Sequence, residues 1–120
     1  MTTVLVVDDA MFMRATMRRM LEEHQFEIIG EAANGLEAIE QYKKLQPDIV
    51  TMDITMPGIS GIEAVQEIIS IDPLAKIVMV TALGQQKLIV DALDAGAKDF
   101  LTKPFDPNQL IQVLRNVIEL

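Results

Sequence analysis

The sequence predicts an α/β fold: a flavodoxin-like (βα)5 doubly wound parallel sheet with strand order 2-1-3-4-5. Five short apolar runs alternate with five stretches of helical periodicity. Gly, Pro, Asn and Asp punctuate the joints between them. Acidic residues sit where two of the runs end, at the sheet edge where such folds bind ligands.

The elements follow in order. Residues 4–7 (Val-Leu-Val-Val) form a strand too apolar to have a wet face, and Asp8-Asp9 ends it. Met13, Met17, Met20 and Leu21 then repeat at helical spacing, as packing residues. Met11 is read as packing too, whereas Phe12 and Met56 flank the strand ends, where either packing or a part in the site fits them. A second strand covers 28–32. Asn34-Gly35 turns the chain into a helix presenting Leu36, Ile39, Tyr42 and Leu45. After Pro47-Asp48, a third strand covers 49–52 and ends at Asp53. Gly58-Ile-Ser-Gly61 reads as entry to the helix of Ile62, Val65, Ile68 and Ile69. Residues 77–80 form the fourth strand and end at Thr81. Ile89, Ala92 and Leu93 mark the next helix, and 100–102 the fifth strand, ended by Lys103. Leu110, Val113, Leu114, Val117 and Ile118 complete the last stripe. Alternation of this kind requires right-handed crossovers and helices on both faces of the sheet.

Composition narrows the function. A chain of 120 residues with no linker or composition shift fits one domain, 1–120, and half its residues are hydrophobic. A net charge of −8 argues against nucleic acid, whose phosphates need Lys and Arg. Without cysteine there is no disulfide, thiolate nucleophile or Cys-ligated zinc. No stretch approaches the roughly 20 apolar residues of a membrane span, and the amino end lacks a signal sequence. A cytoplasmic monomer that binds no membrane is expected. His24 is the only histidine and falls at the end of the first helix, away from the acidic rim, where it reads as a surface residue. A Ser-centred triad therefore has no base, and no G-x-x-x-x-G-K-[ST] phosphate loop occurs.

The strand ends supply three acids, a hydroxyl and a cation to one rim. Asp8, Asp9 and Asp53 suit magnesium, which takes few carboxylates and leaves positions for water and phosphate oxygens. Capping of the following helix is the alternative for Asp8 or Asp9. Asp53 is the candidate nucleophile, able to accept a phosphoryl group as an acyl phosphate. Phosphoryl transfer needs alignment and neutralisation of oxygen charge, which Lys103 and Thr81 supply in kind. Taken singly, Thr81 reads as a strand-end threonine bonded to a helix end, and Lys103 as a solvated loop charge. Their joint occurrence on one rim favours the site.

These segments resemble the response-regulator receiver domain. The likeness rests on Val-Val-Asp8-Asp9, Met52-Asp53-Ile54-Thr55-Met56-Pro57-Gly58, Val80-Thr81-Ala82, Gly96-Ala97-Lys98-Asp99-Phe100 and Thr102-Lys103-Pro104-Phe105. It covers essentially the whole chain. Within the family the sequence is most similar to stand-alone chemotaxis (CheY-like) regulators, through Asp9-Ala-Met-Phe-Met-Arg14 and Ala82-Leu-Gly-Gln-Gln86. The resemblance implies that Asp53 accepts a phosphoryl group from a histidine kinase. It implies magnesium (Mg2+) on Asp9, Asp53 and the carbonyl of Thr55, with Asp8 acting largely through water. Lys103 would pair with the phosphoryl group, and its bond to Pro104 would be cis. Thr81 would swing toward the modified Asp53, small Ala82 would leave it reachable, and Phe100 would turn inward. Family members often carry tyrosine or histidine where Phe100 stands, so this chain offers a partner no polar group there. The face of the fourth helix, fifth strand and fifth helix would be remodelled.

The implied role is a switch rather than an enzyme, one that assists its own phosphorylation and dephosphorylation. Since the last helix stripe closes at Leu120, output by direct protein binding is expected. Implied partners are a CheA-type histidine kinase, a flagellar motor switch protein and a phosphatase. A phosphorelay intermediate passing its phosphoryl group to a second histidine is the nearest alternative. Haloacid-dehalogenase-like phosphatases also use a strand-end Asp, but they require a second Asp where this chain has Thr55.

Overall fold

The computed structural model describes all 120 residues, Met1–Leu120. Five strands alternate with five helices: β1 (Thr2–Val7), α1 (Met11–Glu22), β2 (Phe26–Ala32), α2 (Gly35–Leu45), β3 (Ile49–Asp53), α3 (Gly61–Ile71), β4 (Ile77–Thr81), α4 (Gln86–Ala95), β5 (Asp99–Thr102) and α5 (Pro107–Ile118). All pairings are parallel, as the alternation implies, and the order is the expected β2-β1-β3-β4-β5. No helix is long and apolar enough to cross a membrane.

Strand parity splits the core in two, because successive side chains point to opposite faces. Leu5, Val7, Val50, Met52, Ile77 and Met79 pack with residues of α2, α3 and α4. Val4, Val6, Ile49, Val78, Val80 and Leu101 pack with Met17 and Leu21 of α1 and with Leu110, Leu114 and Val117 of α5. Central strands β3 and β4 are buried throughout, which is why they read as unbroken apolar runs. Edge strand β2 starts at Phe26, two residues before its apolar run, because Thr2 and Thr3 of β1 continue the ladder to Phe26 and Glu27.

The helix stripes differ from expectation at the ends. Leu36 is 61% exposed, and α2 instead buries Gly35, Ala38 and Tyr42 at spacings of three and four. Met11 and Phe12 are also exposed, at the open first turn of α1, while Met17 is the buried methionine of that helix. Entry to α2, α3 and α5 is well specified. Asn34 caps α2, and Ser60 and Asp106 form capping boxes with Glu63 and Gln109. His24 lies past the end of α1, its Nδ1 2.9 Å from the Met20 carbonyl, and is half-buried rather than free on the surface.

Gly61 is the entry residue that bears on the site. A Cβ there would stand 2.2 Å from the Asp53 carbonyl oxygen and 2.9 Å from the Ile54 Cα. Glycine alone lets the start of α3 press against the end of β3. The Gly61 N–H donates to the Ile54 carbonyl at 2.8 Å, fixing that approach.

Candidate functional site

Asp8, Asp9 and Asp53 converge where β1 and β3 end side by side, each offering a carboxylate oxygen within 4.8 Å of the others. Asp8 is buried, Asp53 is 9% exposed and Asp9 faces solvent. Neither β1 acid caps α1. The cap residue is Ala10, with no side-chain cap bond, while Asp8 Oδ1 accepts from the Ala10 N–H at 2.9 Å. The acids are therefore held at the mouth of the fold rather than spent on the helix end.

Lys103 reaches this cluster from the end of β5. Its ammonium donates to Asp8 Oδ2 at 3.1 Å and lies 3.7 Å from Asp53 Oδ2. The peptide bond from Lys103 to Pro104 is cis, as the resemblance implied. Parity explains why these side chains meet. Asp53 shares its face with Ile49, and Lys103 shares the face of Leu101, the side covered by α1 and α5.

Burial of the Asp53 carboxyl raises its pKa from 3.8 to about 6. Lys103 pulls in the other direction, Asp8 and Asp9 add to the rise by like-charge repulsion, and the Thr55 backbone N–H offsets a little of it. Such a group of acids, unneutralised by the one cation beside it, could hold a metal ion. The donors are all carboxylate oxygens, with no thiolate or imidazole, which fits a hard divalent cation.

Thr81 stands at the end of β4 on the other face, in parity with Ile77 and Met79. Its hydroxyl donates to Gln85 Oε1 and lies 3.3 Å from the Ala82 carbonyl. Gln85 also accepts from the Ala82 N–H at 3.2 Å, and its amide donates to Thr55 Oγ1 at 3.3 Å. Thr55 and Ala82 are exposed. Phe100 is 38% exposed and lines a cavity of about 460 Å³ with Leu83, Ile89, Val90 and Leu93.

Sequence reasoning missed three residues, Arg14, Arg18 and Gln85. Arg14 donates from Nη1 to the Asp8 carbonyl at 2.6 Å and from Nε to Glu31 Oε1 at 3.1 Å. Arg18 grips the other oxygen of Glu31 at 2.7 Å. Two guanidiniums hold the Glu31 carboxyl below its ordinary value against the opposing effect of burial. Arg14 fell within a segment of noted resemblance, where a charge on the inward side of the first helix turn was the available signal. Gln85 likewise falls within the resembling segment Ala82–Gln86, four residues after Thr81, with nothing in the pattern to show its contacts.

The response regulator receiver domain family matches residues 4–115. The chemotaxis protein CheY of Thermotoga maritima is 53% identical over 114 residues, 95% of each chain. Protein CcdB of Bacillus subtilis is 51% identical over 98% of each chain. Among solved structures, the CheX–CheY–BeF3–Mg2+ complex from Borrelia burgdorferi contains a chain that superposes with a TM-score of 0.93 at 39% identity, covering 97% of this chain and 88% of that one. Sequence, topology and the acidic rim agree: the chain belongs to the response-regulator receiver family, among its CheY-like members.

Proposed function

We propose that this chain, as one domain, is a phosphorylation-activated switch of a two-component system in which Asp53 receives a phosphoryl group from a histidine kinase. The observation that carries the reading is the meeting of Asp8, Asp9, Asp53 and Lys103 at one sheet edge. An oxygen of ionised Asp53 attacks the phosphorus, and the phosphorus–nitrogen bond of the donor phosphohistidine breaks. The Lys103 ammonium, already near Asp53, neutralises charge on the transferred group. Exposed Ala82 leaves the acceptor open to donor and to water.

Asp8, Asp9, Asp53 and the Thr55 carbonyl would hold magnesium, whose charge, when bound, neutralises phosphoryl oxygens and orients them. The Borrelia relative was solved with Mg2+ and BeF3, which supports that choice. Modified Asp53 then draws the Thr81 hydroxyl, and Phe100 moves into the space vacated. The α4–β5–α5 face thereby changes shape, a population shift set by the differential bonding of the two states. Chemotaxis control is the setting that the CheY relatives support. A CheA-type kinase, a flagellar motor switch protein and a phosphatase are the partners.

The reading is tested by recording backbone amide spectra with Mg2+ and beryllofluoride. Resonances of α4, β5 and α5 should shift in the wild type and stay fixed in Asp53→Asn. Spectra that respond equally in both proteins overturn it.

A further inference from the structure

Thr81 and Gln85 constrain each other in a way that the switch has to resolve. A threonine hydroxyl carries one proton and can donate it to only one acceptor at a time. In this structure two acceptors lie in reach of that proton, and Gln85 Oε1 is nearer than the Ala82 carbonyl at 3.3 Å. The Gln85 oxygen also accepts from the Ala82 N–H, and the same amide donates to Thr55 Oγ1. One side chain thus ties the β4–α4 loop to the β3–α3 loop. It also holds the Thr81 hydroxyl on the α3/α4 side of the sheet, whereas Asp53 belongs by parity to the α1/α5 side.

We infer that the Gln85 carboxamide is a latch on the unmodified state: it competes with the phosphoryl group on Asp53 for the Thr81 hydroxyl proton. This rests on the reading of Thr81 as the hydroxyl that binds the phosphoryl group. Gln85 touches no reacting atom and acts through Thr81, so it is a positioning residue. Formation of the Thr81–phosphoryl bond breaks the Thr81–Gln85 bond, and the loop crossing to Thr55 loses its anchor in the same step. The latch sets the threshold of the switch, because the modified state must outbid a bond that the unmodified state already has. Its location also couples the hydroxyl to the α4 end of the output face, since α4 begins at Gln86, next in the chain.

The prediction is quantitative. Removing one neutral hydrogen bond that exists only in the unmodified state should favour the modified-like state by about threefold to tenfold. The probe is beryllofluoride with Mg2+, titrated calorimetrically into wild type, Gln85→Ala, Thr81→Ala and the double variant. Gln85→Leu, which keeps the length but neither accepts nor donates, serves as the second variant. Both single Gln85 variants should bind about threefold to tenfold more tightly, and the gain should vanish in the Thr81→Ala background. In metal-free protein, the Ala82 amide should exchange its hydrogen faster when Gln85 is replaced, a readout independent of any bound ion. Unchanged affinity for both Gln85 variants, with Thr81→Ala weakened, overturns the latch alone. Tightening that persists without the Thr81 hydroxyl also overturns it, since Gln85 would then act by another route. Unchanged affinity for Thr81→Ala itself overturns the underlying reading of Thr81.

Discussion

The Lys103 ammonium is closer to Asp8 than to Asp53, 3.1 Å against 3.7 Å. It donates a hydrogen bond to Asp8 and leaves the Asp53 oxygen without one. Asp8 is thereby paired, and the acid read as nucleophile feels the positive charge without a hydrogen bond from the ammonium. Replacing Lys103 by methionine removes the one cation that lowers the Asp53 pKa. The pKa should therefore rise above its wild-type value of about 6, as read from the Asp53 side-chain carboxyl resonance across a pH titration.

The same carboxyl links stability to pH in the absence of metal. Its folded pKa of about 6 exceeds its ordinary 3.8, so between these values the native state binds more protons than the unfolded chain. The contribution is fully present below about 3.8 and is lost as pH rises through about 6. Denaturant melts of wild type against Asp53→Asn should diverge over that window, the wild type losing on the order of 2 kcal/mol relative to the variant.

Arg14 holds the backbone from which the Asp8 carboxylate projects. Arg14→Met keeps much of the side-chain stem but loses both the bond to the Asp8 carbonyl and the grip on Glu31. Magnesium affinity should fall by roughly tenfold, as is typical of residues that orient metal ligands. Calorimetric titration of Mg2+ reads it directly.

Gly61→Ala forces a methyl group against the Asp53 carbonyl and the Ile54 Cα, backbone atoms that cannot swing aside. A loss of about 3 kcal/mol in unfolding free energy is expected. Ala38→Gly, at a buried α2 position with no such contact to β3, should cost only about 1 kcal/mol plus its lost methyl packing.

Thr51 lies in the middle of β3 with no exposed surface, and its hydroxyl has no partner. Valine has nearly the same shape and brings no polar group to bury. Thr51→Val should raise stability by about 1 kcal/mol in urea unfolding, with no change in Mg2+ affinity.

The rim was legible in the sequence because it is built from strand ends. An apolar run that stops at Asp8, Asp53, Thr81 or Lys103 announces both the strand and the residue at its carboxyl edge. The parity that places Asp53 and Lys103 on one face and Thr81 on the other follows from counting residues along each strand. The contacts of Arg14 and Gln85 could not be read this way, since Arg14 reaches from α1 to the Asp8 carbonyl and to Glu31 of β2, while Gln85 crosses between two loops. Leu36 shows the limit of helical periodicity. Gly35 lies against Ile59, whose Cγ1 a Cβ there would meet at 2.5 Å, and with Ala38 it carries the buried stripe on little apolar surface.

The most direct test of the account is intact mass after incubation with acetyl phosphate, with and without Mg2+, followed by mapping of the modified peptide. One added phosphoryl unit on Asp53, dependent on Mg2+ and absent from Asp53→Asn, is the predicted result. Phosphoryl addition that persists in Asp53→Asn, or none in the wild type at any Mg2+ concentration, would contradict it.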